Sequence, residues 1–273
     1  MDLLKDQINL RKPIPTLVIP QLDSQQQYDF LEFLRSLYNQ YYAKLVVKKF
    51  MLNNDIIDEF YEYYTEILSS TPVNDDVLTY NIGRPILIRE NPYLIAANGT
   101  TGFRTWEASS YLGEYIQGKF KDKTILELGC GTGLVGLSVC NENSVIFTDR
   151  DLNLLHSLNE TMKLNGLPDT TVLESSEHEK LKDKSTSICQ LQFGEWSREV
   201  DIVLGSDITY APEILPDLIK CIHQFLNKGA IVYIGATIRN EETFRDWEER
   251  LKIFDWTEVK FNGVIKIYEI RLK

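Results

Sequence analysis

Two clusters of residues in this chain have the types and spacing to do chemistry. Residues 125–136 read Ile-Leu-Glu-Leu-Gly-Cys-Gly-Thr-Gly-Leu-Val-Gly. A short apolar run stops at Gly129, Gly131 and Gly133, and a helix-like stretch follows. A glycine-rich turn between strand and helix lets backbone approach a ligand, because no Cβ intervenes. Further on, Gly205-Ser206-Asp207-Ile208-Thr209-Tyr210 ends another apolar run in a carboxylate and a phenol. That puts Asp207 at the carboxyl edge of a sheet, where ligands of open α/β folds bind.

The identity of the ligand follows from three details. A dinucleotide fingerprint needs a third glycine at residue 134, and the chain has Leu134 there. Glu127, inside the strand, would repel a pyrophosphate; it suits a cationic ligand, or orients the loop through hydrogen bonds. Asp149, 20 residues after Gly129, ends the second strand, where an acid accepts both ribose hydroxyls of an adenosine. The competing reading of Asp149 is a helix N-cap, a part that Asp151 could play. A phosphate-free, positively charged adenosine cofactor fits Glu127, Asp149 and the Asp207 carboxylate at the sheet edge together, and S-adenosylmethionine is that cofactor.

The elements that position these residues alternate from residue 124 onward. Apolar runs predict strands at 124–128, 145–148, 188–193, 201–206 and 230–236, with helices at about 133–141, 152–165, 212–226 and 241–254. Two last strands, 257–261 and 264–272, turn at Asn262-Gly263, a strong hairpin signal. The pattern predicts an α/β, Rossmann-like sheet of seven strands, mostly parallel, closed by an antiparallel hairpin. A helix from about Trp106 to Gln117 precedes it. Pro85–Ile88 and Tyr93–Ala97 read as a short hairpin.

Residues 1–70 read as an N-terminal helical extension. Asp23, Ser24, Gln26 and Gln27 form a capping signal, and Phe30, Phe33, Leu34, Leu37 and Tyr41 recur at helical spacing. Ile57, Tyr61, Tyr64 and Leu68 do the same, and these stripes read as core. We divide the chain into a helical module, 1–80, suited to substrate recognition, and an α/β domain that carries the glycine turn and the cofactor, 81–273. Residues 174–187 hold one large apolar residue and read as a solvated, mobile loop.

Bulk properties exclude some classes. A net charge of −11 weighs against binding nucleic acid directly. Four scattered cysteines and three histidines give no disulfide framework and no metal spacing. No apolar stretch approaches the ~18 residues of a membrane span. The first eleven residues mix acids with leucines, unlike a secretory or transit signal, so the expected location is cytoplasmic.

Glu127–Gly133, Asp149 and the Asp-x-x-Tyr of Asp207–Tyr210 resemble the seven-β-strand methyltransferases. Gly99-Thr-Thr-Gly-Phe-Arg-Thr-Trp-Glu-Ala108, Phe193-Gly-Glu-Trp196 and Ser206–Tyr210 are similar to their protein-lysine branch, although Phe193–Trp196 departs from the more usual Leu-Asp-Trp form. The specific motifs span about residues 84–272. The helical extension is similar by general pattern to the group that methylates a lysine of translation elongation factor 2. The resemblance implies a protein substrate, and cofactor contacts from Trp106, Gly129, Cys130, Gly131, Asp149, Trp196 and Ser206, alongside Glu127 from the residue reading. It makes Asp207 and Tyr210 the catalytic pair, with no metal.

The reaction sets a requirement. Methyl transfer is an in-line displacement by a neutral amine, yet a lysine of pKa ≈ 10.4 is neutral only about once in 2,500 at pH 7, a cost of roughly 4.6 kcal/mol. A nearby positive charge and desolvation lower that pKa, whereas a carboxylate raises it. Asp207 is therefore expected to capture and align the lysine, and Tyr210 to wall its channel or accept a hydrogen bond. The alternatives are a methyltransferase acting on a small molecule and a non-catalytic, cofactor-binding assembly factor.

Overall fold

The computed structural model describes residues 1–91, 101–181, 185–194 and 196–273. The chain begins with helices α1 (Asp2–Asn9), α2 (Ser24–Arg35), α3 (Gln40–Met51) and α4 (Asp58–Glu66). The Asp23 carboxylate accepts from Gln26 N at 2.8 Å, and the Gln26 side chain accepts from Asp23 N at 3.2 Å. This reciprocal box starts α2 where the sequence signal lies. Phe30 and Leu34 are buried with Phe50 and Phe60, and the Phe50 and Phe60 rings lie 4.8 Å apart.

The buried face of α4 differs from the expected one. Tyr61 and Leu68 are more than half exposed, while Phe60, Tyr63 and Ile67 are buried. Both sets recur at helical spacing, so periodicity cannot choose between them. Long-range contacts decide: the Tyr63 hydroxyl donates to Leu34 O at 2.9 Å and bonds Gln40 Oε1 at 2.6 Å.

Strands β1 (Asp76–Ile82) and β2 (Arg84–Glu90) pair antiparallel, turning at Gly83. Among the described residues, the hairpin thus forms with the segment before Pro85. Polar residues interleaved in 76–82 hid β1, and Tyr93–Ala97 lies outside the described residues. Arg11, 5 % exposed, grips both oxygens of Asp76 at 2.7 and 2.9 Å, and Asn39 donates to the same carboxylate at 2.8 Å. A buried, fully hydrogen-bonded ion pair of this kind joins the helices to the hairpin, and removing either partner is costly.

The remainder is layered around a sheet. Its elements are α5 (Glu107–Ile116), β3 (Thr124–Leu128), α6 (Leu134–Val139), β4 (Ser144–Asp149), α7 (Leu152–Leu164), β5 (Val172–Leu173), β6 (Ser187–Gln190), β7 (Ile202–Ser206), α8 (Leu215–Asn227), β8 (Ile231–Thr237), α9 (Glu241–Leu251), β9 (Asp255–Phe261) and β10 (Ile265–Arg271). Strand order is β5-β6-β4-β3-β7-β8-β10-β9. The pairs from β5 to β8 are parallel, and β10 runs antiparallel to both β8 and β9. β3 is buried along nearly its whole length, as its unbroken apolar run requires of a central parallel strand.

The sheet has eight strands because the two-residue β5 pairs on the edge, too short to leave a pattern. Ser175–Lys180, expected as open loop, forms a 3-10 turn in which His178 Nε2 lies 3.1 Å from Gln190 O. Asn262 Oδ1 closes the final hairpin by accepting from Val264 N and Ile265 N. The chain moves outward from β3 in one direction and returns as β7 on its other side. The switch point therefore lies between β3 and β7, at their carboxyl ends.

Candidate active site

The glycine turn leaves β3 at this switch point. Gly129 has φ +59° and Gly131 +50°. A Cβ on Gly129 would come within 2.6 Å of the Ile208 side chain, and one on Gly131 within 3.2 Å of Gly102 O. Cys130 N donates to Thr148 O at 2.8 Å, and Gly131 N donates to Asp149 Oδ2 at 3.2 Å. Asp151 N donates to the other oxygen of Asp149 at 3.1 Å. The cap of α7 is Asp151, whose own carboxylate accepts from Asn153 N and Leu154 N. Asp149 is thus fixed at the end of β4 without capping α7, and burial pushes its carboxyl above the ordinary range.

A cavity of about 530 Å³ opens beside this turn. Such a volume suits a nucleoside-sized ligand. Gly129, Cys130, Gly131 and Asp149 line it from the ends of β3 and β4; Ser206, Asp207, Ile208 and Tyr210 line it from the end of β7. Thr101, Gly102, Arg104 and Trp106 roof it, and Leu191 and Phe193 close the side. Trp106 stands immediately before α5, with its indole N–H donating to Thr101 O at 3.0 Å. The roof is fastened from below. Glu90 Oε2 accepts from Thr105 N, Glu90 Oε1 accepts from the Tyr80 hydroxyl at 2.9 Å, and the Thr105 and Thr132 hydroxyls lie 2.7 Å apart.

The structure brings together all the expected site residues except two. Glu127 is 1 % exposed and takes no part in the cavity wall. Its carboxylate accepts from Gly136 N at 2.9 Å, tying β3 to α6, and burial pushes its pKa up to about 8. Of the two parts open to it in the sequence, it orients the backbone. Trp196, 3 % exposed, also lies off the cavity, packed against His178 and Phe225 at ring distances of 4.6 and 6.3 Å. The motif contributes Phe193 to the cavity instead, while Glu195 lies outside the described residues. Residues 191–193 follow directly on β6, and that position at a strand's carboxyl end was the available signal.

At the end of β7, Ser206 and Ser109 share a hydroxyl hydrogen bond of 2.8 Å. Asp207 has φ +51°, with its N–H donating to Gly235 O at 2.8 Å. Its carboxylate accepts from Thr237 N at 2.9 Å and from Arg239 Nη2 at 2.8 Å. The helical segments that follow have no side-chain cap, so Asp207 is not their cap. The Arg239 guanidinium also lies 4.4 Å from the centroid of the Trp106 ring. Tyr210 is half exposed at the cavity mouth. Arg239 was missed because nothing local in Thr237-Ile-Arg-Asn240 points back across the sheet.

A glycine turn without a lysine or arginine of its own, ending against a buried carboxylate, suits a ribose rather than a pyrophosphate. The model of the lysine methyltransferase family matches residues 95–249, which is more than half of the chain. This chain belongs to that family. The lysine methyltransferase is 31% identical to protein-lysine N-methyltransferase EFM3 of Saccharomyces cerevisiae, over 89% of its own length and 84% of the relative's. It is 35% identical to EFM3 of Chaetomium thermophilum over 58% of the chain and 49% of that relative. It is 29% identical to EEF2KMT of Homo sapiens over 74% of the chain and 65% of that relative. The enzyme is an S-adenosylmethionine-dependent protein-lysine methyltransferase with the expected Rossmann-like fold. Among the described residues, no cluster could hold a metal ion and no helix is long and apolar enough to cross a membrane.

Proposed function

We propose that this enzyme methylates a lysine of translation elongation factor 2 in the cytoplasm, with residues 1–80 recognising the substrate and residues 81–273 carrying out transfer. The observation that supports this reading is the reach of the likeness to EFM3. It covers 89% of the chain, well beyond the catalytic stretch 95–249. Similarity in the methyl-transfer core alone would leave the acceptor undefined. Similarity that includes the helices extends to the surface available for a large substrate.

In this reading Asp149 accepts the ribose hydroxyls, and the backbone of Gly129, Cys130 and Gly131 lies against the nucleoside. Trp106 and Ser206 complete the pocket. The cofactor supplies a methyl group already activated on a sulfonium. The protein supplies position and electrostatics. Tyr210 and Asp207 receive the acceptor side chain at the open end, with the Asp207 carboxylate aligning the nitrogen. Water carries away the proton.

The test is to supply the recombinant enzyme and labelled S-adenosylmethionine to an extract from cells lacking the enzyme. A single labelled band at elongation factor 2, with the modified lysine located by mass spectrometry, is expected. Label on a different protein would overturn the choice of acceptor, and label confined to small molecules would overturn the role of the helices as well.

A further inference from the structure

The acceptor end contains a conflict that its own residues resolve. A lone carboxylate beside an incoming lysine stabilises the ammonium, the form that cannot attack. Asp207 is not alone, because Arg239 donates to it at 2.8 Å. The carboxylate is only 7% exposed and the guanidinium 38%, so the pair lies partly shielded at the cavity wall. The same guanidinium lies 4.4 Å from the Trp106 ring centroid and 3.9 Å from Glu107.

We propose that Arg239 is a positioning residue for methyl transfer: by neutralising Asp207 and stacking on Trp106, it lets the acceptor lysine lose its proton while Asp207 keeps its geometry. This inference rests on the reading that Asp207 faces the acceptor. The other charges near this end cannot substitute. Arg104 is engaged with Glu107 at 3.5 Å and with the Trp106 ring at 5.2 Å. Arg150 lines the cavity beside Asp149, at the other end. Glu213 and Asp217, at the mouth with Tyr210, add negative charge, and Asp217 already meets Lys220 at 3.2 Å. Among the described residues, Arg239 is the cation in contact with Asp207. Thr237 N–H continues to orient the Asp207 carboxylate when the arginine is changed.

The test compares wild type, R239Q, R239K and D207N for the rate of labelled methyl incorporation into protein, from about pH 6.5 to about pH 9.5. The acceptor is total protein from cells lacking the enzyme, at saturating concentration, so that the profile reports the bound lysine. In R239Q the rising limb of the pH profile is expected to move up by about one unit, leaving the rate near pH 7 roughly tenfold down and recovering at high pH. R239K is expected to keep the limb near its wild-type position. Affinity for S-adenosylhomocysteine, measured by calorimetry, is expected to stay within about twofold in R239Q. A uniform loss at every pH, an unmoved profile, or lost cofactor affinity would each overturn the proposal. D207N at the wild-type rate would instead overturn the placement of Asp207 at the acceptor, and wild type labelling no protein would overturn the function on which both rest.

Discussion

The two ends of the cavity hold their carboxylates in different ways. At the donor end, Asp149 is fixed by main-chain N–H groups from Gly131 and Asp151. At the acceptor end, Asp207 shares itself between the main chain of Thr237 and the side chain of Arg239. A backbone clamp depends on the path of the chain and tolerates few alternatives. A side-chain partner can be tuned or exchanged. On the proposed assignment, the donor end is therefore built for one ligand, and the acceptor end for adjustment.

The largest effect expected concerns the stability of the donor end. Glu127 is buried and its pKa is pushed up to about 8, against an ordinary value near 4.5. A carboxyl raised in the folded state binds a proton that the unfolded chain releases. Its charge thus costs nothing below about pH 4.5, costs more as pH rises toward 8, and costs the full amount above that. On the order of 5 kcal/mol of stability is lost over that window. Glu127→Gln should flatten this loss, read as a melting temperature that falls less between pH 5 and pH 9 than in wild type. Parallel curves would show that Glu127 is not the group responsible.

The contrast between the ends is tested directly by a crossed pair. Asp149→Ala is expected to weaken S-adenosylmethionine binding about a hundredfold, or ~3 kcal/mol, in calorimetry. Asp207→Ala should leave that affinity within about twofold and lower kcat about a hundredfold, by misplacing the acceptor. If both variants lost cofactor affinity equally, the two ends would not be separate. Gly129→Ala comes next, with left-handed strain and a collision with Ile208 costing about 1–2 kcal/mol and roughly tenfold in affinity. The smallest effect is expected from Trp196→Phe. Its ring packs away from the cavity, so titration should give a cofactor affinity within about twofold of wild type.

The donor end was the more legible in the sequence, and for the same physical reason that it is rigid. Gly129, Gly131 and Asp149 act through backbone geometry within a strand–turn–helix unit, and such geometry leaves local spacing behind it. Alternating apolar runs likewise revealed the parallel strands, while β5, with two residues, left no period to detect. Side-chain arrangements across distant elements left no such trace. Glu127 was visible as a carboxylate in an apolar strand, but its turn toward Gly136 depends on the packing of α6. Trp196 was placed by motif and displaced by the hydrophobic demand of a core that includes Phe225. The pairing of Arg239 with Asp207 joins the ends of β7 and β8, and α4 had two equally periodic faces.

The buried contacts of the hairpin have a thermodynamic consequence. Arg11 and Asn39 seize β1 at Asp76, while Glu90, at the far end of β2, grips Thr105 beneath the roof. Asp76 and Glu90 are register partners, so both loads fall on one rung of the same ladder. Helices and pocket are then expected to melt as a single cooperative unit, which a ligand bound to the folded form would stabilise as a whole. Saturating the enzyme with S-adenosylhomocysteine should slow amide hydrogen exchange in α3, a helix that lines no part of the cavity.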